Sequence, residues 1–232
     1  MEKGLTKDSW LTAGPSSEIL PHDKNLCAIP GRLLDECCLS ISRTGVPGNG
    51  DASFSSEASS RHSNPSDSPL FLAGVNAPRQ MVLAGSDDAL KTAGEQSRLA
   101  GATRVTRLQV GVSSHCELLQ KEAARLAHAM AAIELSPPEA FYIDNRGGRE
   151  LGSVKSICED LATNMAHTVR WHDGTGVMHE RGVRLFVELP PGRVLTALVA
   201  AALPDVRAVA CSDTRIDSVC ALIRREAERG GR

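Results

Sequence analysis

Residues 108–119, with the sequence LQVGVSSHCELL, decide how the rest of this chain is interpreted. The apolar and β-branched residues that lead into this stretch predict a strand over residues 103–112. From residue 117 to about 133 the apolar residues recur every three or four positions, which predicts a helix over 117–133. Ser114 is followed three residues later by a glutamate, the spacing of a capping box. The stretch therefore predicts a strand-to-helix turn that holds His115, and α/β proteins place their chemistry at such turns.

Two side chains of this turn are candidates for chemistry, and each has a plain alternative. His115 is either a catalytic base or an ordinary exposed polar residue. Cys116 is either a thiol nucleophile or a small apolar residue that fills space beside the turn. The local sequence leaves both alternatives open.

The composition excludes several classes of function. The formal net charge is -2 and aromatic residues make up 3% of the chain, so neither a basic nucleic-acid surface nor base-stacking platforms are indicated. No apolar run approaches the roughly 20 residues that span a bilayer, and no signal peptide is recognisable. The 7 cysteines are scattered without a Cys-x-x-Cys pair, so neither a disulfide framework nor a zinc site is indicated. We therefore expect a cytoplasmic protein without nucleic-acid or membrane partners.

The first 68 residues differ from the rest of the chain. Thirteen of these 68 residues are serine, and glycine and proline interrupt every short apolar run. The longest candidate helix is a brief one over about residues 33–41, and residues 61–69 have the composition of a linker. We predict that residues 1–68 are disordered or irregular. A functional arm, a wrong reading frame and a misplaced start are all open explanations.

After this segment the pattern changes to that of a folded domain. Two short apolar runs, residues 70–75 and 80–84, are separated by a tight connection, which predicts a pair of strands. A helix is predicted over residues 87–100, and the strand over 103–112 follows it. This order of elements predicts a small ferredoxin-like lobe over residues 69–112.

Helices and strands alternate in the remaining residues, 113–232. Beyond the helix over 117–133, the pattern predicts strands near residues 141–144, 183–189 and 206–210, and helices near 154–165, 170–181, 193–203 and 216–229. Such alternation is typical of a mostly parallel sheet covered by helices. The predicted fold class is therefore α/β, with residues 113–232 in a second lobe.

Three motifs resemble one known family and occur in the order that the family shows. They are GVSSHCEL at residues 111–118, LAGVNAPRQMVLAG at 72–85 and VELPPGRVL at 187–195. Together they resemble malonyl-CoA:acyl-carrier-protein transacylases over about residues 69–232. The wording VNAPRQ is most similar to the epsilon subunit of malonate decarboxylase. Residues 1–68 lie outside the resemblance.

The resemblance implies a fold, a reaction and partners. The fold is an α/β-hydrolase-like acyltransferase lobe, here incomplete, with a ferredoxin-like small lobe and an active site in the cleft between them. The reaction moves malonyl from CoA to an acyl carrier protein, with a serine in a Gly-His-Ser-x-Gly elbow as nucleophile and a histidine as base. The implied partners are an acyl carrier protein and other malonate decarboxylase subunits. Malonyl-CoA is a substrate, and no cofactor is implied.

The resemblance also assigns residues position by position. His115 matches the catalytic base, so the catalytic interpretation of this histidine is favoured. Asn164, seven residues before Trp171, matches the position whose main-chain carbonyl orients the imidazole. Asn76 matches a substrate-binding asparagine of the small lobe, while Gly74 stands where a further asparagine is usual.

The chain departs from the family at the nucleophile. It contains no Gly-His-Ser-x-Gly sequence and no early Gly-Gln-Gly loop. Ser113 and Ser114 are poor substitutes, because a residue next to the histidine in an extended segment points to the opposite face. We therefore expect a truncated acyltransferase that lacks its nucleophilic serine, and the alternative is a catalytically inactive remnant or carrier-protein docking module. We also expect residues 69–112 to fold locally and residues 113–232 to be poorly supported.

Two other groups of side chains have plain interpretations. The spacings of three histidines fit no zinc signature, which favours solvated positions and no metal: His167, His172 and His179. Arginines near the C-terminus are suited to an acidic carrier protein, although a solvated helix end is the simpler interpretation: Arg224, Arg225, Arg229 and Arg232.

Overall fold

A four-stranded antiparallel sheet forms the first part of the fold in the computed structural model, which describes residues 36–43 and 69–230. Its strands are β1 (Glu36–Ser42), β2 (Leu70–Ala77), β3 (Gln80–Ser86) and β4 (Arg104–Arg107). Their order across the sheet is β2-β3-β1-β4. The helix α1 (Asp87–Leu99) connects β3 to β4 and packs against β1. The predicted strand pair and helix of the small lobe are thus present.

Helix α1 begins at Asp87 because the local sequence caps it. The hydroxyl of Ser86 accepts a hydrogen bond from the backbone N–H of Ala89 at 3.3 Å, and acidic residues occupy the first turn, where the helix dipole favours them. On the inner side of the helix, Leu90 is buried together with Leu39 of β1. This contact closes one face of the sheet.

The strand β1 shows that the prediction of a brief helix over residues 33–41 is wrong. This segment lies in the centre of the sheet, where it pairs with β3 on one side and with β4 on the other. Leu39 is 6% exposed, and pairing on both edges outweighs a weak local helix preference. The small lobe therefore includes a strand from the segment predicted to be irregular. The rest of that prediction, for residues 1–35 and 44–68, lies outside the described residues.

The strand predicted over residues 103–112 is shorter than expected, because β4 ends at Arg107. Leu108 still donates a backbone hydrogen bond to the carbonyl of Cys38 at 2.9 Å. Beyond this bond the chain leaves the sheet and bends toward His115. The histidine therefore follows an irregular turn of several residues and does not follow a strand end directly.

The start of the next helix also differs from its prediction. A 3-10 turn at Glu117–Leu119 precedes the helix α2 (Gln120–Met130), so the regular helix is shorter than the predicted 117–133. The N-cap residue of the 3-10 turn is Cys116, whose side chain makes no capping hydrogen bond. The predicted capping box at Ser114 is therefore wrong.

The remaining described elements follow the predicted alternation of strands and helices with bounds shifted by a few residues, apart from a short strand at Glu150–Leu151 and a 3-10 turn at Asn164–Ala166, which were not predicted. They are β5 (Tyr142–Ile143), β6 (Glu150–Leu151), α3 (Val154–Thr163), a 3-10 turn (Asn164–Ala166), α4 (Trp171–Glu180), β7 (Leu185–Glu188), α5 (Val194–Ala202), β8 (Arg207–Ala210) and α6 (Ile216–Gly230). No helix in the described part of the chain is long and apolar enough to cross a membrane.

The predicted mostly parallel sheet is present only in part among the described residues. Strands β7 and β8 pair in parallel, with α5 as the crossover between them. Strands β5 and β6 instead form an antiparallel hairpin, because the six residues between them are too few for a parallel crossover. The larger lobe thus holds two separate pairs of strands in the described residues.

Backbone hydrogen bonds join β2 to the segment that follows the 3-10 turn at Asn164–Ala166. Val75 donates to the carbonyl of Val169 at 2.8 Å, and Val169 donates to the carbonyl of Ala73 at 3.0 Å. The hydroxyl of Thr168 donates to the carbonyl of Leu72 at 2.7 Å. These bonds fix the 3-10 turn relative to the small lobe.

Candidate active site

His115 is held by two carbonyls of the 3-10 turn. Its backbone N–H donates to the carbonyl of Met165 at 2.7 Å, and its ring Nδ1 lies 3.2 Å from the carbonyl oxygen of Asn164. A carbonyl oxygen only accepts hydrogen bonds, so the ring contact requires the hydrogen on Nδ1. In the neutral ring the lone pair of Nε2 is then available to accept a proton.

The backbone of His115 has a φ of +63°, which places a residue with a Cβ in the left-handed region. The conformation costs about 1–2 kcal/mol for an L-residue, and it persists where surrounding contacts hold it. Those contacts include the two bonds to the 3-10 turn and a hydrogen bond from the N–H of Ser114 to the carbonyl of Val112 at 3.0 Å. A conformation of this kind is a feature of functional turns.

Cys38 of β1 is buried against the turn that carries His115. Its thiol lies 3.8 Å from the carbonyl of Val112, and the side chain is 4% exposed. Burial raises the pKa of the Cys38 thiol, although a hydrogen bond from the backbone of Ser114 opposes this rise. Sequence reasoning missed this residue because the strand that carries it had no local signal of its own.

Cys116 and Ser113 are buried within the turn and are already engaged. The thiol of Cys116, 4% exposed, donates to the carbonyl of Ser113 at 3.2 Å. The hydroxyl of Ser113, fully buried, lies 3.4 Å from the carbonyl of Gly85, to which it donates. These contacts favour the interpretation of Cys116 as a filler, and they agree with the expectation that Ser113 is a poor nucleophile.

Asn164 follows directly after α3 and begins the 3-10 turn. Besides the ring of His115, its carbonyl accepts the backbone N–H of His167 at 3.0 Å, so two donors fix its direction. Its side-chain Oδ1 is buried and has no donor among the described residues. The geometry that the resemblance implies for a base-orienting carbonyl is therefore present, while the catalytic role stays a prediction.

Asn76 lies near the end of β2 and is half-buried. It is two residues beyond Gly74, whose backbone forms a parallel bridge with Val169. Asn76 and Asn164 therefore belong to segments that are linked by hydrogen bonds. A substrate-binding role for Asn76 stays a prediction.

The three histidines considered for a metal do not meet at one point, and within the described residues no group of three metal-ligating side chains exists. None of the three is fully solvated, contrary to the prediction. Burial and, less strongly, Arg146 lower the pKa of His167, while Asp160 opposes this. His179 lies 2.9 Å from a carboxylate oxygen of Asp205. The Nδ1 of His172 is buried without a partner among the described residues.

Arginines of α6 line an open groove of about 400 Å³ beside the starts of β7 and β8. Arg225 and Arg229 share this groove with Arg184 and with carboxylates that include Asp205. Arg184 is paired with Asp205 at 3.5 Å. No residue of the His115 turn lines the groove, so the arginines do not belong to the candidate active site.

A small antiparallel lobe and an α/β segment joined to it, with His115 held by the 3-10 turn, together define a two-part α/β protein. Residues 39–227 match the Acyl transferase domain family, and the chain belongs to this family. The match begins within β1, earlier than the predicted start of the resemblance at residue 69.

The chain is similar to several malonyl transferases. It is 31% identical to the malonyl CoA-acyl carrier protein transacylase of Salmonella typhimurium over 138 residues, which are 60% of this chain and 45% of the relative. The chain thus spans about half the length of the curated relatives that it matches.

Solved structures of malonyl transferases share the fold. The acyl carrier protein S-malonyltransferase of Vibrio cholerae aligns with a TM-score of 0.68 at 28% identity, covering 84% of this chain and 60% of that structure. A malonyl-transacylase solved in complex with its type II PKS acyl-carrier protein aligns with a TM-score of 0.66 at 28% identity, covering 78% of this chain and 56% of that one. The expected α/β class with an acyltransferase-type fold is confirmed.

Proposed function

We propose that this chain carries the base half of an acyl-transfer site that moves malonyl from CoA to an acyl carrier protein. The observation that carries the proposal is the contact of 3.2 Å between Nδ1 of His115 and the carbonyl of Asn164, which leaves Nε2 as the acceptor. Similarity to proteins named malonyl CoA-acyl carrier protein transacylases supplies the substrate and the acceptor.

In the proposed reaction His115 moves one proton back and forth. Nε2 takes the proton of a nucleophilic hydroxyl as its oxygen attacks the malonyl thioester carbonyl, and the proton then passes to the departing CoA sulfur. In the second half, Nε2 takes the proton of the carrier thiol as the thiolate attacks the acyl ester, and returns it to the hydroxyl. We place the nucleophile elsewhere than Ser113, since the hydroxyl of that residue is fully buried.

The test is transfer of labelled malonyl from CoA to an acyl carrier protein, with His115→Asn as the matched variant. Asparagine tolerates positive φ better than most residues, so the variant preserves the turn while it removes the base. If the chain retains a nucleophile and transfers the label, we expect a loss of at least about 100-fold in the variant. Peptide mapping of the acyl-enzyme would identify the nucleophile. No transfer by the unaltered chain defeats the proposal of an active enzyme.

The missing elbow sequence favours a second candidate function. Because the chain contains no Gly-His-Ser-x-Gly, a catalytically inactive module that docks on the carrier protein is also consistent with the fold. Binding of the carrier protein in titration calorimetry, together with absent transfer, supports this candidate. Absence of both binding and transfer rules out both functions.

A more specific assignment of the chain is to the epsilon subunit of malonate decarboxylase. It is supported only by the short sequence VNAPRQ at residues 75–80. It implies that the acceptor is the carrier subunit of that complex and that other subunits bind the chain. Competition between this carrier and the carrier protein of fatty-acid synthesis tests the assignment. A preference for the carrier protein of fatty-acid synthesis would contradict the assignment to malonate decarboxylase.

A further inference from the structure

A buried carboxylate lies one helical turn before the residue that orients His115. Asp160 of α3 is 1% exposed, and its Oδ2 accepts a hydrogen bond from the hydroxyl of Tyr142 at 2.7 Å. Its Oδ1 is buried and has no donor among the described residues. The tyrosine hydroxyl is therefore the main described support of a carboxylate that is removed from water, and such groups are sensitive to the loss of a donor.

The hairpin that carries Tyr142 contacts the C-terminal end of α3 at a second point. Arg146, in the turn between β5 and β6, donates to the hydroxyl of Thr163 at 3.0 Å and lies 3.6 Å from the carboxylate of Glu159. Thr163 immediately precedes Asn164. The hairpin thus contacts α3 on the turn from which the 3-10 segment continues.

The turn of this hairpin is itself fixed from within. The buried Asp144, 5% exposed, accepts the backbone N–H groups of Gly147 at 3.1 Å and Arg149 at 2.8 Å. Helix α2 also packs against α3 and against the 3-10 turn. Helix α3 therefore contacts both the internally bonded hairpin and the helix that follows His115.

We propose that Tyr142 and Asp160 are positioning residues, which hold the carbonyls of Asn164 and Met165 where they bind the ring and backbone of His115. The proposal rests on the proposed function only for the consequence in catalysis. Burial, and after it the Asp160 carboxylate, raises the pKa of Tyr142, so the hydroxyl stays protonated as a donor at neutral pH. Loss of this donor leaves Asp160 buried and unsupported, which favours displacement of α3 and of the carbonyls that follow it.

The first test compares Tyr142→Phe, Asp160→Ala and Asp160→Asn in the full chain. Hydrogen exchange of the His115 amide reports its bond to Met165 and needs no enzymatic activity. We expect exchange at this amide to accelerate about tenfold or more in Tyr142→Phe and Asp160→Ala. Asp160→Asn retains an acceptor for the tyrosine hydroxyl, so it should restore most of the protection. The amide of Leu108, bonded to Cys38 in the small lobe, should not change.

The matched control is His179→Asn, which breaks a polar pair with Asp205 away from α3. Two results would overturn the proposal and assign Tyr142 and Asp160 a merely structural role. In the first, His179→Asn accelerates exchange at the His115 amide as much as Tyr142→Phe does. In the second, Tyr142→Phe changes only the melting temperature. The ¹⁵N shifts of the His115 ring give an independent signature. Loss of the Nδ1–H form in Tyr142→Phe, but not in Asp160→Asn, supports positioning.

Kinetics separate the failure of this inference from the failure of the proposed function. With active protein we expect kcat to fall about tenfold in Tyr142→Phe while KM for malonyl-CoA changes little. If the unaltered chain shows no transfer but the His115 amide responds as expected, the proposed function fails and the positioning role stands. If transfer depends on His115 but not on Tyr142 or Asp160, the positioning role fails and the proposed function stands.

Discussion

At His115 the backbone and the side chain are coupled through one short turn. A φ of +63° is unfavourable for a residue with a Cβ, yet the N–H and the ring each bind a carbonyl of Asn164–Ala166. Each such hydrogen bond contributes about 1 kcal/mol. Two bonds are therefore enough to offset the strain, and the conformation aims the ring at the Asn164 carbonyl.

Substitution of His115 by glycine and by alanine separates the cost of the positive φ from the loss of the ring hydrogen bond. Both changes remove the imidazole, but only glycine adopts a positive φ freely. We expect His115→Gly to be more stable than His115→Ala by about 1 kcal/mol, the reverse of the usual order in helices and strands. Urea unfolding midpoints measure this difference. Equal midpoints would show that the left-handed conformation is not retained in solution.

His167 makes stability depend on pH in the weakly acidic range. Its pKa is lowered from the usual 6.5, first by burial and then by Arg146, so the unfolded chain binds a proton at higher pH than the folded chain does. Stability is therefore lost as the pH falls through the unfolded value. We expect the melting temperature to decline between about pH 7.5 and pH 5.5, and His167→Asn to reduce this decline.

The exposed His128 provides the control for this pH dependence. His128→Asn should leave the decline in melting temperature unchanged. Persistence of the full decline in His167→Asn would assign it to another group.

At the scale of elements, the carboxylate of Glu188 in β7 caps the start of helix α5 by accepting hydrogen bonds from N–H groups of its first turn. The carboxylate accepts the backbone N–H of Thr196 at 2.7 Å and of Leu195 at 3.2 Å, and the Thr196 hydroxyl at 2.6 Å. Partial burial acts to raise the pKa of Glu188, but these hydrogen bonds outweigh it and the pKa is lowered. The stabilisation is therefore present above the unfolded pKa and is lost as the pH falls through the lowered value.

Glu188→Gln should lower the melting temperature by about 2–4 °C at pH 7, as the loss of a helix cap does in a chain of this size. The difference from the unaltered chain should shrink as the pH falls below the usual glutamate value of 4.5 and through the lowered pKa of Glu188, because the carboxylate then becomes protonated. Thermal unfolding monitored by circular dichroism measures both effects. The exposed Glu139→Gln is the control, and a difference that stays constant with pH would contradict the charge-dependent cap.

The β5–β6 hairpin approaches α4 so closely that it requires glycine at one position. Gly148 has a φ of +60°, and a Cβ there would lie 2.6 Å from the Cβ of Asp173 and 2.7 Å from the backbone N of Gly174. We expect Gly148→Ala to destabilise the fold by more than about 2 kcal/mol, since both the conformation and the contact oppose it. Gly152→Ala, with no atom within 4 Å, is the matched control in urea unfolding. Comparable stability of the two variants would contradict the close packing.

Most elements after residue 69 could be predicted because their signals are local. Apolar periodicity is sufficient to locate α1 and α6, whereas β1 becomes a strand only through pairing with two distant strands. At the site, the local sequence indicated His115 as a candidate, and the family resemblance favoured its catalytic interpretation and added Asn164. The contact between Tyr142 and Asp160 could not be found that way, because it depends on how a hairpin packs on α3.

For the whole molecule, the two parts of the chain differ in how well their strands are supported. In the small lobe β1 is paired on both edges, whereas β7 pairs only with β8 among the described residues. The N–H of Arg207 donates to the carbonyl of Arg184, and that of Cys211 to Glu188, so even-numbered residues of β7 face β8. The backbone groups of Leu185 and Val187 therefore point to an edge where no described strand lies. Parallel pairs of two strands are rarely stable alone.

Hydrogen exchange should reveal this difference along the full chain. We expect amides in the centre of β1 and β3 to exchange at least about 100-fold more slowly than those of Leu185 and Val187, because only the former are bonded within a complete sheet. Within β7, the amide of Phe186 faces β8 and serves as the internal control, with protection above that of its two neighbours. Exchange measured by NMR resolves these positions. Uniform protection across residues 113–230 would mean that the open edge of β7 is covered in solution, and the larger lobe would then be as well supported as the small one.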